Sequence, residues 1–501
     1  MATNGIPGEV ATVSPAAGPD RRRWFVLGVV GLAQLMIVLD ITVMNIALPS
    51  AQRALSFSNA DRQWVITAYT VTFGGLLLLG GRISDMVGAK RTLLVGVVGF
   101  ALASALGGAA QSLGMLIAAR GLQGAFGSLL APSVLSLLTT TFTEDDERAR
   151  AFGVYATIAI GGAAVGLILG GVLTEYLDWR WCLYVNIPVS VAVVLSASAI
   201  IPSGAGHPEV RLDIPGTVLG CGGLVALVYA LGDAATDGWG SAAVVAAFVI
   251  AALMLSGFIV VQTTVENPLL PLRIVTDRNR SGAFLGILLA VIANYGMFLF
   301  LTYFLQTIKG YSPVRAGFAF LPLMAANGLT ATQVSSRLMA RVPTRALVVP
   351  GLLIAALGAG VLTRLTPTGG YLDHVLPAEI LLGIGLGLAF VPFINTATSR
   401  ADPRDAGVTS ATANTAQQIG ASVGTALLNT IAASATAAYV AAHVHTAGIV
   451  VEATVHGYAV ASYYSVAILV AAALIGAVLI DNHPRRAPPA AAGSAAVSGR
   501  G

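Results

Sequence analysis

Hydrophobic residues fill most of the chain in fourteen successive runs, and short polar segments separate them. An α-helix rises about 1.5 Å per residue, so about 20 mostly apolar residues cross a lipid bilayer. Each run therefore predicts a membrane-spanning helix. The predicted spans are 24–47, 63–80, 92–110, 115–138, 151–173, 183–201, 214–232, 242–262, 283–306, 316–335, 346–363, 376–398, 408–430 and 458–480.

The basic residues predict how these spans are oriented. Cytoplasmic loops of membrane proteins are enriched in Lys and Arg. With a cytoplasmic N-terminus, nineteen basic residues fall in inside segments and six fall outside. An even number of spans places both termini on one side, so both are predicted to be cytoplasmic. The outside residues are Arg53, Arg62, Arg180, Lys309, Arg315 and Arg364.

Two loops of the chain resemble each other. GRISDMVGAKR follows span 2 and SRLMARVPTRA follows span 10, so that Arg82 aligns with Arg337. With the span count, this repeat predicts an all-α membrane protein of two related six-helix halves, as in many secondary transporters. The predicted units are a cytoplasmic tail at 1–23, the halves at 24–203 and 281–480, two inserted helices with their loops at 204–280, and a disordered cytoplasmic tail at 481–501.

Composition agrees with a chain that has lipid as its main solvent. Hydrophobic residues make up 56% of it, charged residues 10%, and the mean hydropathy is +0.81. The net charge of +4 is accounted for by loop arginines at the lipid surface. No basic stripe on a soluble domain exists to bind nucleic acid. Cys182 and Cys221 lie in or beside spans and predict no disulfide framework.

One acidic residue, Asp40, lies well inside the first span, and Arg120 is the basic residue placed deep in a span. A charge at the centre of a membrane helix costs about 2.5–3.5 kcal/mol and commonly marks an ion or substrate pathway. The two residues predict a proton-coupling site in which Arg120 biases the protonation of Asp40. The alternatives are an Asp40 side chain hydrated near the outer interface, and a fixed ion pair joining spans 1 and 4.

Several motifs occur in an order typical of one transporter family. LDITVMNIALP begins at Leu39, GRISDMVGAKR at Gly81, RGLQGAFG at Arg120 and GAAVGLILGG at Gly162. In this order they resemble the major facilitator superfamily and, within it, the fourteen-span drug:proton antiporters of the EmrB/QacA type. The resemblance covers nearly all of residues 24–480, and further matches are DWRWCLYVNIP, LDIPG and QTIKGYSPVRAG.

The resemblance implies roles for two groups of residues. One group is a conformational latch between spans 2 and 3, for which a topology signal is the alternative. The other is a set of glycines in span 5 that suits a gating interface between the halves, or ordinary tight packing. Met86 and Leu167 stand where the family often has arginine and proline. The latch residues are Gly81, Asp85, Gly88, Lys90 and Arg91, and the glycines are Gly162, Gly166, Gly170 and Gly171.

The second half is predicted to carry no charge far from its loop ends, but its spans contain amides and phenols. An apolar cavity with scattered groups of this kind suits a bulky amphiphilic substrate. Any one of these groups can instead simply join helices. The substrate-cavity candidates of the two halves are Asn45, Gln123, Asn294, Tyr303, Gln306, Asn327, Asn414 and Gln418.

Other chemistries receive little support from the sequence. His443, His445 and His456 cluster in a predicted external loop, where a solvated loop is favoured over a metal site. A phosphate-binding P-loop motif is absent from the sequence. The chain is therefore predicted to be neither an enzyme nor a cofactor-binding protein.

The resemblance implies proton-coupled efflux of a hydrophobic drug or antibiotic across the bacterial inner membrane by alternating access. The predicted partners are this small substrate, protons and the lipid bilayer, with the protein acting as a monomer. A proton-coupled symporter or uniporter of a nutrient or metabolite on the same fold is the alternative, since fold does not fix function.

Overall fold

The computed structural model describes residues 21–202, 204, 206, 212–339, 341–398, 406–443 and 448–481. The predicted tails, apart from 21–23 and Asp481, lie outside the described residues, as does His445. Within the described ranges the chain is helical and has no strand, which confirms the all-α prediction. Lipid offers no hydrogen bonds to the backbone, and a helix satisfies its own N–H and C=O groups.

The first half consists of seven helices. The last two of them are nearly continuous and together form one span at Trp181–Ile200. The helices are α1 (Arg21–Leu55), α2 (Gln63–Val87), α3 (Ala89–Gly108), α4 (Leu113–Thr141), α5 (Asp145–Tyr176), α6 (Trp181–Tyr184) and α7 (Asn186–Ile200).

The insert and the second half follow. The insert comprises α8 (Ile214–Asp237), α9 (Ala242–Thr264) and the short α10 (Leu272–Thr276). Three π-helical segments, Phe304–Ile308, Thr330–Ser335 and Tyr371–Val375, interrupt or extend helices of the second half. Its α-helices are α11 (Arg278–Tyr303), α12 (Pro313–Ala319), α13 (Leu321–Leu329), α14 (Ser336–Leu338), α15 (Arg345–Leu362), α16 (Leu376–Thr398), α17 (Ala406–Ala442) and α18 (Ile449–Leu479).

Thirteen helices among the described residues are long and apolar enough to cross a membrane. The predicted span 316–335 is helical but divided, because α12 ends at Ala319 and α13 begins at Leu321. Pro322 lies in the first turn of α13, where its missing N–H leaves no hydrogen bond unmade. The structure therefore shows a multi-pass membrane protein of thirteen long helices and one segmented helix.

The two halves meet mainly through α2 and α5 of the first half. α2 packs against α17, and α5 packs against α12 and α13. We call the side of the molecule that carries residues 56–62 the α1–α2 loop face, and the opposite side, which carries Gly88, the α2–α3 loop face.

The halves touch at the α1–α2 loop face and diverge toward the other. A Cβ atom built on Gly171 of α5 would lie 2.8 Å from the Pro313 oxygen of α12, whereas one built on Gly153, near the other end of α5, has no neighbour within 4 Å. Val154 and Val334, near the α2–α3 loop face, are exposed. The halves are thus in contact at the α1–α2 loop face, whereas α5 has no such neighbour at its other end, near the α2–α3 loop face.

The inserted helices lie beside the junction of the halves. α8 packs on both α2 and α17, and α9 packs on α8. Val71, Val228 and Ala426 form a small apolar cluster between α2, α8 and α17. The buried Asp213 carboxylate accepts from the Gly216 N–H at 2.7 Å and from Gln262 Nε2 at 2.7 Å, so it caps α8 and joins it to α9.

Candidate functional site

Asp40 and Arg120 form a buried ion pair in the middle of the first half. Arg120 Nη1 lies 2.5 Å from Asp40 Oδ2, and both side chains are almost completely inaccessible to solvent. Asp40 therefore points neither into lipid nor toward an outer interface, which rules out the hydrated alternative for this state. Two buried charges are stable only when paired and fully hydrogen-bonded.

Two amides complete the surroundings of Asp40. Gln123 Nε2 donates to Asp40 Oδ1 at 2.8 Å, and Asn186 Nδ2 donates to the same oxygen at 2.9 Å. Both amides also donate to Ser104 Oγ. Gln123, predicted as a substrate-cavity residue, thus lies in the acid cluster. Sequence reasoning missed Asn186 and Ser104, although Asn186 belongs to the DWRWCLYVNIP motif.

Arg120 is held by three further groups. Its Nε donates to the Val65 carbonyl oxygen at 3.1 Å, its Nη1 donates to Gln123 Oε1 at 2.9 Å, and its guanidinium lies 4.4 Å from the centre of the Tyr69 ring. Close packing of α2 on α4 makes these contacts possible. A Cβ atom on Gly124, one turn after Arg120, would lie 2.3 Å from the backbone carbonyl oxygen of Tyr69, so only glycine fits there.

A second buried arginine, Arg62, lies at the junction of the halves on the α1–α2 loop face. Its Nε donates to Asn429 Oδ1 at 3.0 Å, and its guanidinium lies 4.1 Å from the centre of the Tyr303 ring. Nη1 donates to Tyr458 Oη at 3.4 Å. No carboxylate within the described part of the chain forms a salt bridge with Arg62. A loop arginine in the sequence is thus a buried contact between the halves.

Further hydrogen bonds join the halves on the same face. Tyr303 Oη donates to Gln52 Oε1 at 2.6 Å, and Gln306 Nε2 donates to the Ile46 carbonyl oxygen at 2.9 Å. Two predicted substrate-cavity residues therefore act here as ties between α11, with its π-helical end, and α1.

The span-5 glycines face two different partners. Cβ atoms on Gly162, Gly166 and Gly170 would meet α1 of the same half, at 2.8 Å, 1.9 Å and 2.9 Å. Gly171 instead faces the α12 backbone of the other half. At Leu167, where the family often has proline, α5 continues as an uninterrupted helix.

Gly171→Ala should weaken closure of the α1–α2 loop face. The added Cβ would overlap the Pro313 and Val314 backbone in the closed state alone, and overpacking of this kind costs about 1–3 kcal/mol. We expect the ratio of closed to open molecules to fall by about 5- to 150-fold. Electron double resonance between spin labels on the exposed positions of Ala54→Cys and Thr368→Cys measures this ratio in a background free of Cys182 and Cys221.

Gly161→Ala is the matched control for that experiment. It brings the same gain in helix propensity to α5, but its Cβ would meet nothing within 4 Å. Equal distance distributions in the two variants would contradict the role assigned to the α5–α12 contact.

The predicted latch residues surround the turn between α2 and α3. Lys90 Nζ donates to the carbonyl oxygens of Ser198 and Ile201, at 3.0 and 2.6 Å, and so binds the C-terminal end of α7. Gly88 has a φ of +99°, and a Cβ there would lie 3.0 Å from the Gly204 oxygen.

The remaining latch residues lie around the same turn. A cavity of about 670 Å³ beside it is lined by Asp85, Gly88 and Lys90, among others. Gly81 faces Pro132 of α4, and Arg91 is exposed. The contacts of Gly81, Gly88 and Lys90 thus lie within the first half and the segment that follows it.

The other substrate-cavity candidates divide by exposure. Asn45 is buried and donates to the Ile41 carbonyl oxygen within its own helix. Four candidates in the second half are partly exposed, and the Oε1 atom of one of them, Gln418, is buried without a hydrogen-bond partner. These four residues are Asn294, Asn327, Asn414 and Gln418.

The histidines are placed differently from the prediction. α17 extends to Ala442 and α18 begins at Ile449, so the loop is shorter than expected and His456 lies in α18. The rings of His443 and His456 lie 4.2 and 4.7 Å from that of Tyr439. The described residues contain no group of three or more His, Cys, Asp or Glu side chains arranged to hold a metal ion.

Glu379 corrects the expectation that the second half has no charge away from its loop ends. The span predicted at 376–398 begins earlier, because the π-helical segment Tyr371–Val375 precedes α16. Glu379 is therefore fully buried inside a span. The polar residues Asp373 and His374 in that segment concealed the helix start in the hydrophobic pattern.

Two helical halves that meet near one face, with a buried acid–arginine cluster inside the first half, are typical of a membrane transporter. The profile described as Major Facilitator Superfamily matches residues 30–425. The chain belongs to this superfamily and is a transporter rather than an enzyme.

Three relatives are antibiotic-resistance or export proteins by name. The chain is 51% identical over 483 residues to the puromycin resistance protein pur8 of Streptomyces alboniger, which covers 96% of this chain and 95% of that protein. It is 39% identical over 407 residues to the cephamycin export protein CmcT of Amycolatopsis lactamdurans, covering 81% and 84%. It is 32% identical over 434 residues to the tetracenomycin C resistance and export protein of Streptomyces glaucescens, covering 86% and 80%.

Solved structures share the fold. A bacterial homolog of the human lysosomal transporter Spinster superimposes with a TM-score of 0.65 at 18% identity, covering 92% of this chain and 97% of that one. The POT family transporter PepTSo superimposes with a TM-score of 0.66 at 15% identity, covering 92% and 98%. At this level of identity the likeness concerns the fold alone.

Proposed function

We propose that this protein exports an antibiotic across the bacterial inner membrane in exchange for protons, as a drug:proton antiporter of the fourteen-span EmrB/QacA type. The names of relatives at 51%, 39% and 32% identity support the substrate class, since each refers to resistance to an antibiotic or to its export. The segmented helix at 313–338 would be the tenth span, which brings the count from thirteen to fourteen, and the insert would be the extra helix pair. The protein would act as a monomer.

The observation that carries proton coupling is the hydrogen bonding of Asp40. Three N–H donors, from Arg120, Gln123 and Asn186, converge on its two oxygens. A protonated carboxyl must itself donate, and none of these three atoms can accept. The geometry is therefore that of a carboxylate that has released its proton.

Asn186 supplies a route to the protonated state. Its Oδ1 is buried and has no hydrogen-bond partner. A half-turn of the amide exchanges Nδ2 for Oδ1, so the oxygen then faces Asp40 and accepts from the protonated carboxyl. Arg120 and Gln123 need not move. The same cluster thus accommodates both charge states, as a carrier of protons requires, which supports proton coupling over a fixed ion pair.

The distribution of arginines supports a cytoplasmic location for both termini. The α1–α2 loop face is then external, and the structure is the state open to the cytoplasm. In this state an antiporter has released its proton inward and binds substrate, which agrees with an ionised Asp40. A membrane potential of roughly 150 mV supplies about 3.4 kcal/mol per proton, sufficient for a gradient of about 300-fold of a neutral substrate.

We infer that the first half binds protons and that the second half binds substrate. The acid cluster lies in the first half, and the partly exposed amides of Asn294, Asn327, Asn414 and Gln418 lie in the second half. Amides that can donate and accept, set among apolar helices, suit an amphiphilic antibiotic. We further infer that the latch residues stabilise the first half as a rigid unit, because Lys90 ties α3 to the end of α7.

Everted membrane vesicles from a host without its own drug pumps test this function, with labelled puromycin as the probe. We expect accumulation when respiration acidifies the vesicle lumen, and its loss when a protonophore is added. Vesicles from an empty-vector strain are the control. Accumulation that survives the protonophore would overturn proton coupling, and proton-driven uptake by right-side-out vesicles would favour a symporter.

A further inference from the structure

Glu379 is a buried carboxyl that the proposed cycle does not use. It is 0% exposed, lies in the first turn of α16, and faces the end of α12 across the side chain of Tyr371. Its Oε1 atom has no hydrogen-bond partner. A carboxylate in this position would leave a buried negative charge with a single donor, which is a costly arrangement.

The hydrogen bonds around Tyr371 indicate where the proton lies. The Tyr371 hydroxyl lies 2.7 Å from the Ala319 carbonyl oxygen and 3.2 Å from Glu379 Oε2. A hydroxyl has one hydrogen to donate, and the shorter contact is to the carbonyl oxygen. If Tyr371 donates to Ala319, its oxygen is free to accept from a protonated Glu379. One added proton thus completes the chain Glu379–Tyr371–Ala319.

The neighbouring charged groups are engaged elsewhere or exposed. Arg315 lies 3.9 Å from the centre of the Tyr311 ring, and Lys309 Nζ donates to the Pro367 carbonyl oxygen. Asp373 is exposed and accepts from the Gly370 N–H, and Arg364 is exposed. The hydrogen bonds described for Glu379 come from Tyr371 alone, so a proton is the cation that fits this site.

The chain of hydrogen bonds ends on the helix that closes the external face. α12 carries Ala319 at its C-terminal end, and its N-terminal end packs on Gly171. The Val314 N–H donates to Glu175 Oε2 of α5 at 2.9 Å. The contact with α5 therefore holds α12 in the position that Tyr371 and Glu379 require.

We propose that Glu379 is a second proton-binding site, which takes up a proton from the outside when the α1–α2 loop face closes. The proposal rests on the alternating-access cycle proposed above. It places a protonated acid in the second half while Asp40 in the first half is ionised. External acid then favours closure through Glu379, whereas protonation of Asp40 favours the opposite state.

The test measures closure against pH in an Asp40→Asn background, so that the coupling acid does not titrate. With the Ala54→Cys and Thr368→Cys labels, we expect the closed-to-open ratio to rise over a range of falling pH, by up to about tenfold per pH unit. Glu379→Gln retains a donor to Tyr371 and should remain closed across the range. Asp373→Asn, which removes an exposed acid two turns earlier, should leave the pH dependence unchanged.

Infrared spectroscopy gives a second readout, and its decisive spectrum is that of the wild-type protein. Wild-type protein at neutral pH should show the carbonyl band of a protonated carboxyl, and Glu379→Gln should lack it. A pH dependence that persists in Glu379→Gln, or absence of the band from wild-type protein, overturns the proposal. Puromycin accumulation by wild-type vesicles decides the proposed function separately, so the two failures are distinguishable.

Discussion

Asp40→Asn should abolish proton-driven efflux while leaving the protein folded in the membrane. Asparagine has the shape of the protonated side chain and cannot release a proton. Its oxygen still accepts from Arg120, and a turn of the Asn186 amide provides an acceptor for its new N–H group, while Gln123 Nε2 loses its acceptor on residue 40 and keeps Ser104 Oγ. The variant is thus expected to resemble the proton-loaded state permanently. Proton-driven accumulation in everted vesicles should fall to the empty-vector level.

Exchange of labelled for unlabelled puromycin distinguishes lost coupling from lost transport. This exchange needs no net proton movement, so Asp40→Asn should retain it. Asp237→Asn, an exposed acid at the end of α8, is the control and should behave as wild type. Proton-driven accumulation at the wild-type level in Asp40→Asn would place the coupling site elsewhere.

Asn429→Ala should open the α1–α2 loop face by removing the hydrogen-bond acceptor of Arg62. The direction of the shift follows from the Arg62 donor that the variant leaves without an acceptor. In the closed state the guanidinium stays buried with an unmet donor, whereas in the open state water satisfies it. A hydrogen bond to a charged group contributes about 1.5–3 kcal/mol, so we expect a shift of about 10- to 150-fold toward the open form.

The spin-label pair used for Gly171→Ala measures this shift as well. Ser434→Ala, on the same helix, is the control. Transport should fall with closure, because an antiporter that stays open to the outside cannot bind substrate from the cytoplasm. If the distance distribution of Asn429→Ala equals that of the control, the Arg62 cluster does not determine closure.

The hydrophobic pattern predicted the helical architecture and the central ion pair. Apolar runs specify spans because lipid leaves the backbone no alternative partner. Asp40 and Arg120 were found because a charge in such a run is costly and conspicuous. Asn186 and Ser104 were missed, since neutral polar residues occur throughout membrane helices and only the folded cluster shows which of them face the acid.

Arg62 and Glu379 show where the one-dimensional pattern fails. Both lie within a few residues of a loop, and the hydrophobic pattern therefore predicts that they are exposed to water. Their burial depends on other elements, because α17 and α18 cover Arg62, and Tyr371 with the end of α12 covers Glu379. The periodicity of the sequence does not show which distant segments approach each other in the folded protein.

The position of α8 makes the two lateral openings between the halves unequal. α8 covers the seam where α2 packs on α17, whereas no helix of the insert packs on α5 or α13 in the described chain. On that side Val154, Leu329 and Val334 are exposed. With the α2–α3 loop face cytoplasmic, as proposed, an antibiotic already dissolved in the inner leaflet would enter sideways between α5 and α13, so its partitioning into lipid would set the concentration that the transporter meets.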